Sequence, residues 1–120
     1  MTKIFVPFQF WAHHRWKDAP ENLDYLREYH RHLFICRVEL EVNQLDREIS
    51  FEDVQIYLDH HVLGQYRDRL LEYSCETIAD KLIHSFHTRF GARWYSVMVS
   101  EDGINGAVVE KDFKLNARVV

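Results

Sequence analysis

His30-Arg31-His32-Leu33-Phe34-Ile35-Cys36-Arg37-Val38-Glu39-Leu40-Glu41-Val42 alternates along its whole length. His30, His32, Phe34, Cys36, Val38, Leu40 and Val42 fall on one parity, and Arg31, Leu33, Ile35, Arg37, Glu39 and Glu41 on the other. Successive side chains of a strand point to opposite faces, so this period of two predicts a long strand with one buried face. The two histidines begin that face and project together. A third imidazole from a neighbouring strand would complete three neutral nitrogen donors and leave one position open, which is what a catalytic zinc needs. The competing reading is a chance alternation in a histidine-rich chain.

Upstream, residues 3–12 are aromatic and β-branched and read as another strand. Pro7 has no N–H to give to a ladder, which predicts an edge position or a bulge there. The stretch ends in Phe10-Trp11-Ala12-His13-His14. Neighbours on a strand face opposite ways, so only one of His13 and His14 can join the His30/His32 face. Residues 15–29 form a polar excursion with a helical turn expected at Leu23–Tyr29. Loops of that length in small domains are often functional.

Downstream, Asn43-Gln44-Leu45-Asp46 turns the chain. Ser50 with Asp53 three residues on reads as a capping box, and Phe51, Val54, Leu58 and Val62 follow at helical spacing. Ser74 caps a second helix with Ile78, Leu82, Ile83 and Phe86 as its apolar stripe, ended by Gly91. Trp94 to Ser100 reads as a third strand. Asp102-Gly103-Ile104-Asn105-Gly106 is turn chemistry, and Ala107–Glu110 begins a fourth strand. The expected fold is therefore α+β, in the order ββααββ: an antiparallel four-stranded sheet with two helices on one face. No repeat or linker divides residues 1–120, which read as a single domain. Its open sheet edges favour a homo-oligomer.

Composition narrows the function. With 47% hydrophobic and 28% charged residues the chain reads as an ordinary globular protein, and a net charge of -4 argues against nucleic-acid binding. No run approaches a membrane span, and the first residues lack a signal peptide's pattern. Cys36 and Cys75 do not make a disulfide framework, so a cytoplasmic setting is expected. The eight histidines cluster at 13/14, 30/32, 60/61 and 84/87.

Several of these stretches resemble the 6-pyruvoyltetrahydropterin synthase and 6-carboxytetrahydropterin synthase family. The family's Phe-x-Ala-x-His is similar to Phe10-Trp11-Ala12-His13-His14, its His-Gly-His to His30-Arg31-His32, and its Thr-x-Glu-x-x-Ala to Ser74-Cys75-Glu76-Thr77-Ile78-Ala79. Its strand ending in a glutamate is similar to Val97-Met98-Val99-Ser100-Glu101, and its Leu-Asp-His-x-x-Leu to Leu58-Asp59-His60-His61-Val62-Leu63. The motifs run in the family's order from about residue 4 to 110.

The resemblance implies a tunnelling fold (T-fold), whose sheets join into a barrel between subunits. It implies Zn2+ on His14, His30 and His32, with His13 the rival of His14. It also implies Glu76 and Glu101 accepting hydrogen bonds from a pterin's amino and ring N–H groups, and Asp59 with His60 assisting proton transfer. The implied activity is a lyase acting on 7,8-dihydroneopterin triphosphate.

There are departures. Arg31 stands where the family has glycine, and Ser50 where it has aspartate. The family's nucleophilic cysteine is absent from Asp24-Tyr25-Leu26-Arg27-Glu28. Glu28 is a candidate base, though it lies two residues before His30 where some relatives have a glutamate three before. Cys75, in the first turn of a helix whose dipole lowers a thiol's pKa, is either a replacement near the pterin or a small buried residue. Cys36 reads as core. The alternatives to a lyase are a non-catalytic or redirected zinc- and pterin- or purine-binding homologue, and a plain structural protein without stoichiometric metal.

Overall fold

The computed structural model describes residues 1–114. The alternating stretch is a single strand, β2 (His30–Val42), paired antiparallel with β1 (Thr2–His14) along its whole length. The register sets His14 opposite His30, Phe10 opposite Phe34 and Val6 opposite Val38. On its other side β2 pairs antiparallel with a strand at Trp94–Glu101, which in turn pairs with Asn105–Asp112.

A short strand, β3 (Leu70–Leu71), lies parallel to the end of β1, which makes Trp94–Glu101 β4 and Asn105–Asp112 β5. The sheet order is β3-β1-β2-β4-β5. The expectation of an antiparallel four-stranded sheet in the order ββααββ is corrected here: the sheet is mixed and has five strands. Two residues carry no periodicity to read, and their pairing depends on a tertiary return. Asp68 donates its N–H to the Trp11 carbonyl at 2.8 Å, His13 to Arg69 at 3.0 Å and Arg15 to Leu71 at 3.1 Å.

β3 pairs only with His13 and His14 and Asp68 bonds to Trp11, so from Thr2 to Phe10 this edge of β1 has no strand partner among the described residues. His13 donates its N–H away from β2, and Pro7 shares its parity, so the N–H that proline lacks would have pointed out of the sheet.

Two helices bracket β3. Helix α1 (Phe51–Tyr57) starts where Ser50 Oγ accepts from the Asp53 N–H at 3.1 Å. It is shorter than the Phe51–Val62 spacing predicts, because the chain widens into a π-helical turn at Leu58–Val62 and tightens into a 3₁₀ turn at Leu63–Gln65. Leu58, Val62 and Leu63 stay buried through that change. Helix α2 (Cys75–Phe90) is capped by Ser74 Oγ, which accepts from Thr77 N–H at 3.2 Å. It ends at Gly91, where φ of 88° suits a residue without Cβ.

Ile78, Ala79, Leu82, Ile83 and Phe86 of α2 are fully buried against Phe34, Val38, Tyr95, Val97 and Val99 of the sheet, in one core shared with Val54 of α1. The excursion after β1 holds a 3₁₀ segment, Glu21–Arg27, tied back by the Trp16 N–H donating to Leu26 at 2.8 Å and Arg27 Nε donating to Ala19 at 2.8 Å. Among the described residues no helix is long and apolar enough to cross a membrane.

Candidate functional site

The inward face of β1 and β2 changes character at one end of the sheet. Past Phe10 and Phe34, whose rings stack at 5.1 Å, the same face carries His14, His30 and His32. Ring centroids are 4.5 Å apart for His30 and His32, 6.1 Å for His14 and His30, and 6.4 Å for His14 and His32. Register chooses between the adjacent histidines of β1. His14 is buried on this face, while His13 is half-buried and opposite Arg31 on the other. Arg31 therefore does not intrude on the site; its guanidinium lies 4.3 Å over the Trp11 ring.

Each imidazole is held by one nitrogen. His14 Nε2 donates to the Tyr73 carbonyl at 2.5 Å, and His30 Nδ1 donates to the Glu28 carbonyl at 2.9 Å. His32 Nδ1 donates to Asp102 Oδ2 at 2.7 Å. A carbonyl or carboxylate oxygen only accepts, so these nitrogens carry the protons and set the tautomers. In the neutral rings the nitrogens left with lone pairs are His14 Nδ1, His30 Nε2 and His32 Nε2. Tying one ring nitrogen to an oxygen while the other stays available is the support that metal-ligating histidines receive.

Asp102 is the partner that sequence motifs missed. It sits at φ of 58° in the β4–β5 turn. Its carboxylate accepts from the Leu33 N–H at 3.0 Å as well as from His32, and its own N–H donates to the Leu33 carbonyl at 2.7 Å. The Leu33 N–H, then His32, hold its carboxyl below the usual range. Its signal was the turn sequence itself, but nothing in Asp102-Gly103 says which strand the turn docks on. The Tyr73 carbonyl carries no signal at all, being backbone.

A cavity of about 460 Å³ opens beside these rings. His14, His30, Cys75, Glu76 and Glu101 line it, so five residues singled out from sequence meet there. Trp16 and Leu26 of the excursion form an apolar wall, and Arg15, Glu72, Ser74, Asn105 and Gly106 complete the lining. Gly106 is obligatory, since a Cβ there would lie 2.2 Å from the Val99 carbonyl oxygen. At the rim Arg15 pairs with Glu72, which also accepts from the Tyr29 hydroxyl at 3.0 Å.

Cys75 is buried, the second of its two expected readings, though it also lines the cavity. It stands in the first turn of α2, but its thiol is pushed up to about 11, by burial first and then by Glu101 and Glu76. The helix dipole does not prevail over a buried site with two carboxylates nearby. Cys36 is core, as its parity implies, and burial raises its thiol further.

Four candidates do not line the cavity: His32, which stands beside His30 just outside its lining, and three that lie elsewhere within the subunit. Glu28 reaches it only through its backbone carbonyl; its side chain is exposed. Asp59 lies in the π-helical turn, 2.8 Å from Arg67, and lines a separate depression of about 230 Å³ with Pro7, Phe8 and Gln9. His60 beside it is exposed. From Phe8 to His14 along β1 is roughly 20 Å at the rise of an extended strand. Among the described residues, no three histidine, cysteine or acidic side chains already converge as a group that could hold a metal ion, so an ion would have to draw at least one ring inward. The tautomers and the supporting oxygens nevertheless suit zinc.

No protein-family model matches the chain, and comparison with curated proteins finds no match. Among solved structures, an uncharacterized protein, WS1659 from Wolinella succinogenes, is similar, with a TM-score of 0.68 at 16% identity over 92% of this chain and 98% of that one. What the two chains share is their α+β fold.

Proposed function

We propose that this protein is a zinc-dependent pterin synthase-like lyase of the 6-carboxytetrahydropterin type, acting on 7,8-dihydroneopterin triphosphate. One observation carries the reading. Three imidazoles are each tied through one nitrogen to an oxygen, and two of them, His14 and His30, line a cavity with room for a bicyclic heterocycle while His32 packs against His30. Zinc on His14, His30 and His32 would supply a Lewis acid for the substrate's side-chain oxygens. Glu76 and Glu101 would accept hydrogen bonds from the pterin's N–H groups, as acceptor-only carboxylates. Trp16 and Leu26 would shield the ring from water.

The fold proposed is a T-fold subunit, with the free edges of β1 and β5 covered by further copies. Asp59 and His60 would then reach a cavity only as residues of a second copy, and Cys75, its thiol pushed up by burial and by Glu101 and Glu76, would line the cavity without supplying a thiolate. A second reading keeps its place because of that same separation. Without a base from another copy the cavity would bind zinc and a pterin or purine and do no chemistry.

Metal analysis, sedimentation and turnover assays on 7,8-dihydroneopterin triphosphate test both. The lyase reading expects one zinc per chain, an oligomer, and zinc-dependent product that His60→Ala suppresses by about 10²–10⁴-fold, the usual worth of a general base. A zinc-loaded, pterin-binding oligomer giving no product above buffer would leave the binding reading. A chain without stoichiometric zinc would end both.

A further inference from the structure

The carboxylate of Glu101 sits where two lone pairs point. Its Oε1 is 3.2 Å from His14 Nδ1 and its Oε2 is 3.6 Å from His32 Nε2. Both nitrogens belong to rings whose other nitrogen already donates, His14 to Tyr73 and His32 to Asp102. An ionised carboxylate is acceptor-only, so acceptor faces acceptor on both of its oxygens unless a cation lies between them. Either a proton on each ring or one metal ion would relieve the contact.

The donor set suits a single ion once one ring is drawn inward, since among the described residues no three of these side chains already converge. Two donors on one tetrahedral zinc, each at about 2.0–2.2 Å, are roughly 3.3–3.6 Å apart. The observed separations, 3.2 and 3.6 Å, bracket that range. Glu101 is the last residue of β4 and pairs with Phe34, which fixes its side chain on the inward face beside the histidines.

We propose that Glu101 is itself a metal ligand, its carboxylate filling the fourth position beside the three imidazoles; this rests on the zinc reading above. The consequence is a closed resting site. Four protein donors leave no vacancy, so a ligand reaches the metal only when the carboxylate lets go. The N–H groups of a heterocycle in the cavity are suited to take that carboxylate over, which would couple heterocycle binding to opening of the metal.

Zinc competition against a chromophoric chelator, with cobalt(II) absorption as a second readout, tests this without any turnover. Wild type, Glu101→Gln and Glu101→Asp are compared. The expected order of zinc affinity is wild type, then aspartate, then glutamine, with glutamine weaker by at least the ~10-fold that even outer-shell losses cost. Azide should perturb the cobalt spectrum of Glu101→Gln and leave the wild type unchanged. Should the glutamine variant fail to fold, the aspartate variant, which keeps the charge but shortens its reach, carries the comparison. Wild type holding zinc with Glu101 variants equal to it in affinity and spectrum would overturn this inference and leave the three-histidine reading intact. Wild type holding no zinc would overturn both.

Discussion

The two ends of β2 place carboxylates in opposite circumstances. At the Val42 end Glu41 is buried, and its carboxylate accepts from Lys114 Nζ at 2.7 Å and from the Trp94 N–H at 3.1 Å. Arg93 donates to the Glu41 carbonyl at 2.8 Å and to Glu48 at 2.7 Å, while Glu48 also accepts from the Asn43 and Gln44 N–H groups at 3.0 Å. Each carboxylate there meets donors. At the His30 end the Glu101 carboxylate lies 3.2 Å from His14 Nδ1 and 3.6 Å from His32 Nε2, with no backbone N–H or lysine among the described residues holding it. Burial without a partner is costly, so the satisfied cluster at the Val42 end stabilises the fold, whereas Glu101 is partly exposed and free to exchange partners. The strand carries structure at one end and a site at the other.

The sharpest way to break that contrast is to remove a ligand. His32→Ala or His30→Ala should lower zinc affinity by more than the ~10–100-fold that losing an outer-shell partner costs. Zinc stoichiometry after dialysis against a weak chelator reads it. Either variant keeping wild-type zinc content would show that the His30 end is no site, and its polar groups would then need another account.

Asp102→Asn should come next. Asparagine tolerates the positive φ of this turn, so the backbone survives while the charged acceptor for His32 Nδ1 is lost. Zinc affinity should fall by about 10–100-fold with little change in unfolding midpoint. A large loss of stability with unchanged zinc affinity would make Asp102 a brace of the hairpin and nothing more.

How much of this could be read in the sequence depends on how far each signal reaches. The β2 alternation and the Ser50, Ser74 and Gly91 boundaries are local, and the structure follows them. Parity says only that one of His13 and His14 can serve; the family resemblance points to His14, and the register sets it opposite His30. What could not be read is long-range. Leu70–Leu71 is too short for a period, and Leu58–Val62 departs from α-geometry without a glycine or proline to announce it. The Asp102–His32 and His14–Tyr73 contacts join positions 70 and 59 residues apart. The Leu-Asp-His motif is present in the chain, yet Asp59 faces Arg67 and the free edge of β1; sequence order does not give distance.

The other end of β2 supplies the converse prediction. Lys114 first, then the Trp94 N–H, hold the Glu41 carboxyl below its ordinary value of 4.5. A carboxyl whose pKa is lower folded than unfolded adds stability above the unfolded value and loses it as pH falls through the folded one. Glu41→Gln should therefore cost about 1–3 kcal/mol at pH 7 and leave zinc binding untouched. The two chains should converge in stability well below pH 4. Urea unfolding at pH 7 and at pH 3 measures both limbs. A cost that persists unchanged at low pH would assign the effect to packing instead of charge.

Cys75 should give the smallest effect, and it is the test most specific to the cavity. With its thiol pushed up to about 11, only about one molecule in ten thousand carries thiolate at pH 7, against a few per cent for an ordinary cysteine. Burial is the larger cause and the Glu101 and Glu76 carboxylates add to it, so the carboxylates that would recognise a heterocycle also keep this sulfur quiet. Cys75→Ser should leave zinc affinity within about twofold, because serine keeps the size and the neutral O–H in place of S–H. Alkylation by iodoacetamide in the Cys36→Ala background should stay slow at pH 7 and rise steeply only towards pH 11. Bound zinc would add a positive charge near the thiol and draw that midpoint down, so the apo and zinc-loaded chains should differ in alkylation rate. Equal rates would place the metal away from Cys75, and with it away from the cavity.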